Sequence, residues 1–338
     1  MAVQAKDIRM APAGNRPVPG SFPAYQRPSS GRRLLKRIWR ERLMYLLILP
    51  GVFYYAVFNY LPLIGNAVAF QDWSPFRASQ EGPVQGFFVG PWVGLANFRD
   101  MVSDPEFLNA LTNTVKIEIL LLVFAFPAPL LLALLLNSMI SEQLKRTMQT
   151  IVYLPHFLSW VIIISMWRQF FGGAGMVNEF LTIFEAGPVD IIQNPDLFEL
   201  MVVLQVIWKD VGWGTIIFLA ALTKVDVTLY EAAVVDGANG WRRLRDVTLP
   251  GIRPVIVILL ILTIGNAFSV GFEQFFLQRD AVGAEEAEVL DTFGYFRGIQ
   301  AGDYGFATAV GMVKSVVGLV LIVGANWFAK RIGEEGIV

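Results

Sequence analysis

The 338-residue chain contains no cysteine and a single histidine, His156. Without cysteine there can be no disulfide, thiolate metal site or cysteine nucleophile, and one histidine provides no imidazole cluster for a metal and little scope for imidazole acid–base chemistry. Charge is also scarce: Asp, Glu, Lys and Arg make up 16% of the residues, whereas soluble domains carry about 25%. The sequence has no Gly-x-x-x-x-Gly-Lys-Ser/Thr phosphate loop, so it offers no such site for ATP. It also has no recognisable nucleophile–base–acid set, which argues against an enzyme.

Hydrocarbon is plentiful. Hydrophobic residues make up 55% of the chain and the mean hydropathy is +0.53. Apolar runs near the roughly 20 residues needed to cross a bilayer recur at 43–70, 111–136, 147–171, 200–222, 254–270 and 304–328. The expected fold is therefore all-α, a polytopic membrane protein of six transmembrane helices. Residues 1–41 are rich in Pro, Gly, Ser and Arg and lack an apolar run, so they read as a disordered basic tail. The tail is too long for a secretory signal, and the apolar segment after it continues into a full span. Residues 42–330 read as the membrane domain and 331–338 as a short C-terminal tail.

Lys and Arg set the orientation. They gather before the first span (Arg32, Arg33, Lys36, Arg37, Arg40, Arg42), after the second (Lys145, Arg146), after the fourth (Lys224, Arg242, Arg243, Arg245, Arg253) and at the end (Lys330, Arg331). These ends are expected in the cytoplasm, and both termini with them. The alternate links carry acids, among them Asp100, Asp104 and Glu106, Glu179, Glu185, Asp190 and Asp196, and Glu285, Glu286, Glu288 and Asp291. The basic collar before the first span can act as a topogenic anchor or bind anionic lipid. Phe87, Phe88, Trp92 and Phe98, set among Gly82, Pro83, Gly86, Gly90 and Pro91, suit interfacial anchoring or a ledge for an external partner.

The link after the fourth span, about 224–252, is the most informative segment. Thr228 with Glu231 three residues on is the pattern of a capping box, Gly237 can end a first helix in the left-handed conformation, and Asn239 can cap a second. Pro250 is expected to stop that second helix. Ala232 and Ala233 would let another surface approach closely. The run Glu231-Ala232-Ala233, Asp236-Gly237-Ala238, Trp241 and Leu249-Pro250 resembles the signature cytoplasmic loop of binding-protein-dependent ABC importer permeases.

The resemblance extends over nearly everything after the tail. Leu49-Pro50, Phe58, Pro62 and Phe70 to Trp73 look like the opening of the carbohydrate-uptake permeases, the group that contains the maltose and glycerol-phosphate transporter subunits. Val93-Gly94-Leu95-Ala96-Asn97-Phe98, Asp104-Pro105-Glu106-Phe107 and Asn113-Thr114 match its next lead-in. Tyr153-Leu154-Pro155-His156-Phe157-Leu158-Ser159-Trp160, Phe126-Pro127-Ala128-Pro129 and Gly302-Asp303-Tyr304-Gly305-Phe306-Ala307-Thr308-Ala309 are similar to the branch of polysaccharide or complex-oligosaccharide permeases.

The resemblance implies the type I importer fold and a non-catalytic subunit. It implies a coupling helix carrying Glu231, Ala232, Ala233, Asp236, Gly237, Ala238, Trp241, Arg242, Arg243, Leu249 and Pro250. It also implies two ATPase subunits that bind ATP and Mg, no cofactor in this chain, a second homologous permease, an external sugar-binding protein, an oligosaccharide substrate and a place in the bacterial inner membrane. In that family the sugar path is lined mainly by spans 4 to 6. Polar and aromatic span residues suited to sugar are Trp208, Lys209, Trp213, Phe218, Asn266, Phe268, Glu273 and Lys314. Lys116, Glu118 and Asp210 are further charges inside spans, and any of these charges can instead snorkel or pair. His156, next to Pro155, is expected to be structural. Two rivals remain: a permease of the same class for another solute such as glycerol phosphate, and an ion-driven secondary carrier. The carrier predicts inverted repeats and gives no reason for the Glu-Ala-Ala loop.

Overall fold

The computed structural model describes residues 39–82, 85–184, 189, 191–334 and 336–337. The tail before Trp39, with Arg32, Arg33, Lys36 and Arg37, lies outside them, as do Pro83, Glu185 and Asp190. The backbone is helical, with no strand among the described residues and one isolated bridge between Gln71 and Trp92. Residues to Pro62 and residues from Leu63 form two units, each described by itself below.

Among the described residues five helices are long and apolar enough to cross a membrane: span 1 (Arg42–Phe70), span 2 (Pro105–Asn137), span 4 (Pro195–Leu222), span 5 (Gly240–Gly265) and span 6 (Tyr304–Arg331). Span 3 is a broken pair, Glu142–Phe157 and Trp160–Ile183, bent by 105°. A kink is the expected effect of Pro155's missing N–H, and the span expected at 147–171 is divided at the turn that holds it. Pro155 lies in a short tight turn, Leu154–Phe157, Leu158 is extended, and Ser159 caps the next helix.

Spans 2 and 4 start earlier than hydropathy suggested because their caps are polar. Asp104 accepts from the amides of Glu106 and Phe107, and Asn194 from that of Asp196; in both helices a proline fills the first turn, where its missing N–H has no helical partner to lose.

Pro50 and Pro254 stand inside regular helix, whereas Pro62, Pro127 and Pro250 are met by widened turns. Before Pro62, Pro127 and Pro250, the preceding residue donates its N–H five residues back: Leu61 to Ala56, Phe126 to Leu121 and Leu249 to Leu244. Such a turn moves the carbonyl that the proline ring would strike. This corrects the role expected of Pro250: the helix runs through it, and span 5 begins inside the loop at Gly240. Span 5 ends at Gly265, with Asn266 as its C-cap, short of the expected 270.

No residue of Arg42–Tyr55 is buried. Within the unit from Leu63, three apolar clusters form the interior, and span 4 enters two of them. Phe198, Met201 and Val202 pack with Ile117, Phe275 and Val289; Phe218, Ala221 and Leu222 pack with Ala133, Val225 and Ile252. Phe107, Phe293, Phe306 and Val310 belong to the third. Lipid is as apolar as leucine, so close packing and internal hydrogen bonds carry more of the cohesion here than they would in water. Asn113 donates to the carbonyls of Glu285 and Glu288 at 2.8 and 3.1 Å, and the Thr114 hydroxyl accepts from the Leu290 amide at 3.0 Å. These bonds tie the segment after span 5 to span 2.

Candidate functional site

Two regions combine unusual geometry with accessible chemistry. The first is the loop after span 4. Its first helix, Val227–Val235, is capped by Asp226, whose carboxylate accepts from the Thr228 amide at 2.9 Å. That bond, aided by the Thr228 side chain, holds the Asp226 carboxyl below its usual range. The expected capping box of Thr228 and Glu231 is therefore corrected: Asp226 stands two residues upstream in an extended conformation and takes the role. Gly237 adopts φ +78°. The amide of Ala238 bonds to the carbonyl of Ala233 at 2.8 Å and that of Gly237 to Val234 at 3.0 Å, a Schellman ending. Asn239 then accepts from the Arg242 amide at 2.9 Å and starts the second helix.

The base of this projection is anchored. Val225 and Ile252 are buried, and the Tyr230 hydroxyl meets the Thr248 hydroxyl at 3.0 Å. Its outer face is bare: Val227, Leu229, Val234 and Trp241 are exposed, and Val235 is 87% exposed. Glu231, Ala232, Asp236, Gly237, Arg242 and Pro250 are exposed with them, while Ala233, Ala238, Arg243 and Leu249 are half-buried. The helix thus presents small and apolar side chains that nothing among the described residues covers.

The second region is a cavity of about 570 Å³ between spans 2, 4 and 5, closed on one side by Trp160 from the second half of span 3. Trp213, Phe218 and Asn266 stand in its wall with Glu118, Asp210, Thr263 and Gln274. Of the other span residues singled out from the sequence, Trp208 lies at the surface of span 4. Phe268 packs beside the cluster around Phe107 and Phe306. Glu273 is exposed in the first turn of Phe272–Phe276, and Lys314 pairs with Asp291. Lys209 donates from Nζ to the carbonyls of His156 and Leu158, both at 2.8 Å.

His156 and Trp160 were not among the residues assigned to the path, yet they join this region. His156 Nδ1 lies 2.8 Å from Asp210 Oδ1, and its ring stacks on that of Trp213 at 4.5 Å and 5°. The signal available was Pro155 followed by Ser159, a helix breaker and a helix starter four residues apart, which places Trp160 at the head of a new helix. Among the described residues no group of three or more acidic or histidine side chains could hold a metal ion.

Residues 125–334 match the family described as the binding-protein-dependent transport system inner membrane component. The chain is 44% identical over 299 residues to Protein LplB of Bacillus subtilis (strain 168), an alignment covering 88% of this chain and 92% of that protein. It is 42% identical over 307 residues to the polygalacturonan/rhamnogalacturonan transport system permease protein YteP of the same organism, covering 90% and 93%. Among solved structures, a chain of a bacterial alginate ABC transporter in complex with alginate pentasaccharide-bound periplasmic protein is similar at 35% identity and a TM-score of 0.81, over 90% of this chain and 100% of that one.

Proposed function

The chain belongs to the binding-protein-dependent transport system inner membrane components, and from that premise we propose that it forms half of the path by which an ABC importer takes up an oligosaccharide or polysaccharide fragment. The observation that carries the proposal is the loop helix Val227–Val235, anchored at its base and bare on its outer face. In this reading the bare face docks in a groove of a separate ATPase subunit that binds ATP and Mg, and Glu231, Ala232 and Ala233 lie at the contact. Closure of the ATPase pair would draw this helix and its counterpart on a second permease together, switching the spans between inward- and outward-facing states. The loop and both termini are assigned to the cytoplasm, and the acidic links to the side where a sugar-loaded binding protein arrives.

The sugar class rests on relatives named for polygalacturonan, rhamnogalacturonan and alginate transport. The cavity supports it, since aromatic faces of Trp160 and Trp213 beside Asp210, Glu118 and Asn266 suit a pyranose ring and its hydroxyls.

The test is co-purification of the ATPase with Glu231→Ala and Gly237→Val. A β-branched side chain at φ +78° strains the turn by about 1–2 kcal/mol, so Gly237→Val should insert normally yet lose ATPase and uptake. Glu231→Ala should weaken docking. Normal co-purification and normal uptake in both variants would remove the loop from the contact.

A further inference from the structure

We propose that Lys209 and His156, neither of which lines the cavity, are positioning residues for transport: they hold the break in span 3 so that Trp160 and Trp213 keep their places in the cavity wall. The inference rests on the cavity being the sugar path.

The break creates a polar problem in an apolar setting. Leu158 is extended and leaves the regular hydrogen-bond ladder, and the Ile162 amide turns to the Ser159 hydroxyl, so the carbonyls of His156 and Leu158 lack helical donors. An ammonium group inside a span costs a few kcal/mol to insert unless it finds partners. Lys209 meets both needs at once, with Nζ 2.8 Å from each carbonyl. An ammonium has three donors, and Nζ also stands 5.6 Å from the centroid of the Trp160 ring, within cation–π reach. One side chain of span 4 therefore ties down the end of the first half of span 3, the break itself and the indole that follows it.

The next residue continues the arrangement. Asp210 Oδ1 holds His156 Nδ1 at 2.8 Å, and the imidazole lies flat against the Trp213 indole. Trp213 is three residues beyond Asp210 and four beyond Lys209, so all three share one face of span 4. His156 is thus gripped twice, by its carbonyl through Lys209 and by its ring through Asp210. Its flat face backs the indole that stands in the cavity. Little more than one turn of span 4, from Lys209 to Trp213, sets the bend of span 3 and the attitude of both indoles.

The test uses the full complex in proteoliposomes, with partner permease, ATPase and binding protein, and uptake expressed per assembled ATPase. Tritiated trigalacturonate, arabinotriose and maltotriose are offered, and the one carried by the wild type is the probe. Lys209→Met should lower uptake at least fivefold, and Lys209→Arg, which keeps two donors, should restore at least half of it. In a Trp160→Ala/Trp213→Ala background Lys209→Met should lower the remaining uptake by less than twofold, because its effect runs through those rings. Equal fivefold losses in both backgrounds, or unchanged uptake in Lys209→Met, would overturn the proposal.

If Lys209→Met fails to assemble, the His156 pair decides. His156→Ala should lower uptake and His156→Phe, which keeps a flat ring against Trp213, should restore it. Wild-type uptake by both would overturn the positioning role. Failure of the underlying reading looks different: Trp160→Ala/Trp213→Ala at the wild-type rate would remove the cavity from the path, and with it this inference.

Discussion

Gln205 and Gln278 pair their side-chain amides in both directions: Nε2 of Gln205 donates to Oε1 of Gln278 at 3.0 Å, and Nε2 of Gln278 donates back at 3.2 Å. Gln274 adds a third amide, donating to Gln205 Oε1 at 2.8 Å. All three residues are buried. The knot fastens the segment after span 5 to span 4, beside the cavity that Gln274 lines.

Gln205→Leu should accordingly take from Gln278 Oε1 its buried donor, while Nε2 of Gln274 and of Gln278 keep the carbonyls of Val202 and Gln274, and lower stability by about 1–3 kcal/mol. Replacing Gln205, Gln274 and Gln278 together with leucine should recover much of that loss, since no amide is then orphaned. Thermal unfolding in detergent measures both. A single variant as stable as the wild type would show that the knot contributes little.

Gly212 sits where span 4 crosses the first half of span 3, and a Cβ there would collide with the backbone carbonyl of Val152. Gly212→Ala should push the two helices apart at a cost of about 1–3 kcal/mol. Gly311→Ala in span 6, where a Cβ meets nothing within 4 Å, is the control and should unfold like the wild type. Equal melting temperatures for the two variants would refute the close approach.

Asp226 should make the loop helix sensitive to acid. Its carboxyl is held below the usual range, first by the Thr228 amide, so the cap contributes stability above the unfolded pKa and loses it as pH falls through the lowered folded value. The protection factor for amide hydrogen exchange at Thr228 and Leu229, which removes the intrinsic pH dependence of exchange, should fall in acid for the wild type. In Asp226→Ser, which caps without titrating, the pH dependence should be absent. Identical profiles would show that the carboxylate is not the cap.

Orientation can be read directly because the chain has no cysteine of its own. Glu286→Cys should react with an impermeant thiol reagent in intact cells, and Arg242→Cys should react only after the membrane is opened. The opposite pattern would invert the topology.

Local chemistry was readable in the sequence, and distant pairing was not. Gly237 and Asn239 were found because a left-handed turn and a helix cap depend on residues three or four positions away. Asp226 was missed because Thr228 obeys the same local rule two positions later. Lys209 could be identified as a charge inside a span, but its partners lie more than 50 positions back, at a break whose 105° bend follows from tertiary packing as much as from Pro155. Trp213 and Asn266 stand in the cavity wall, whereas Phe268 lies beyond the end of span 5. Pro250 carried a true local signal, but its consequence was absorbed by widening the helix at 244–248.

The widened turns before Pro62, Pro127 and Pro250 also bear on how such a chain can change length. Each fits one residue more than a regular helix would use over the same rise, so counting 3.6 residues per turn across it misplaces every later side chain by about 100°. Removing one residue within 56–60, 121–125 or 244–248, with the proline changed to alanine, would tighten the turn and leave both flanks facing as before. These are three points where descendants of this sequence could lose a single residue without rotating a helix in the bilayer.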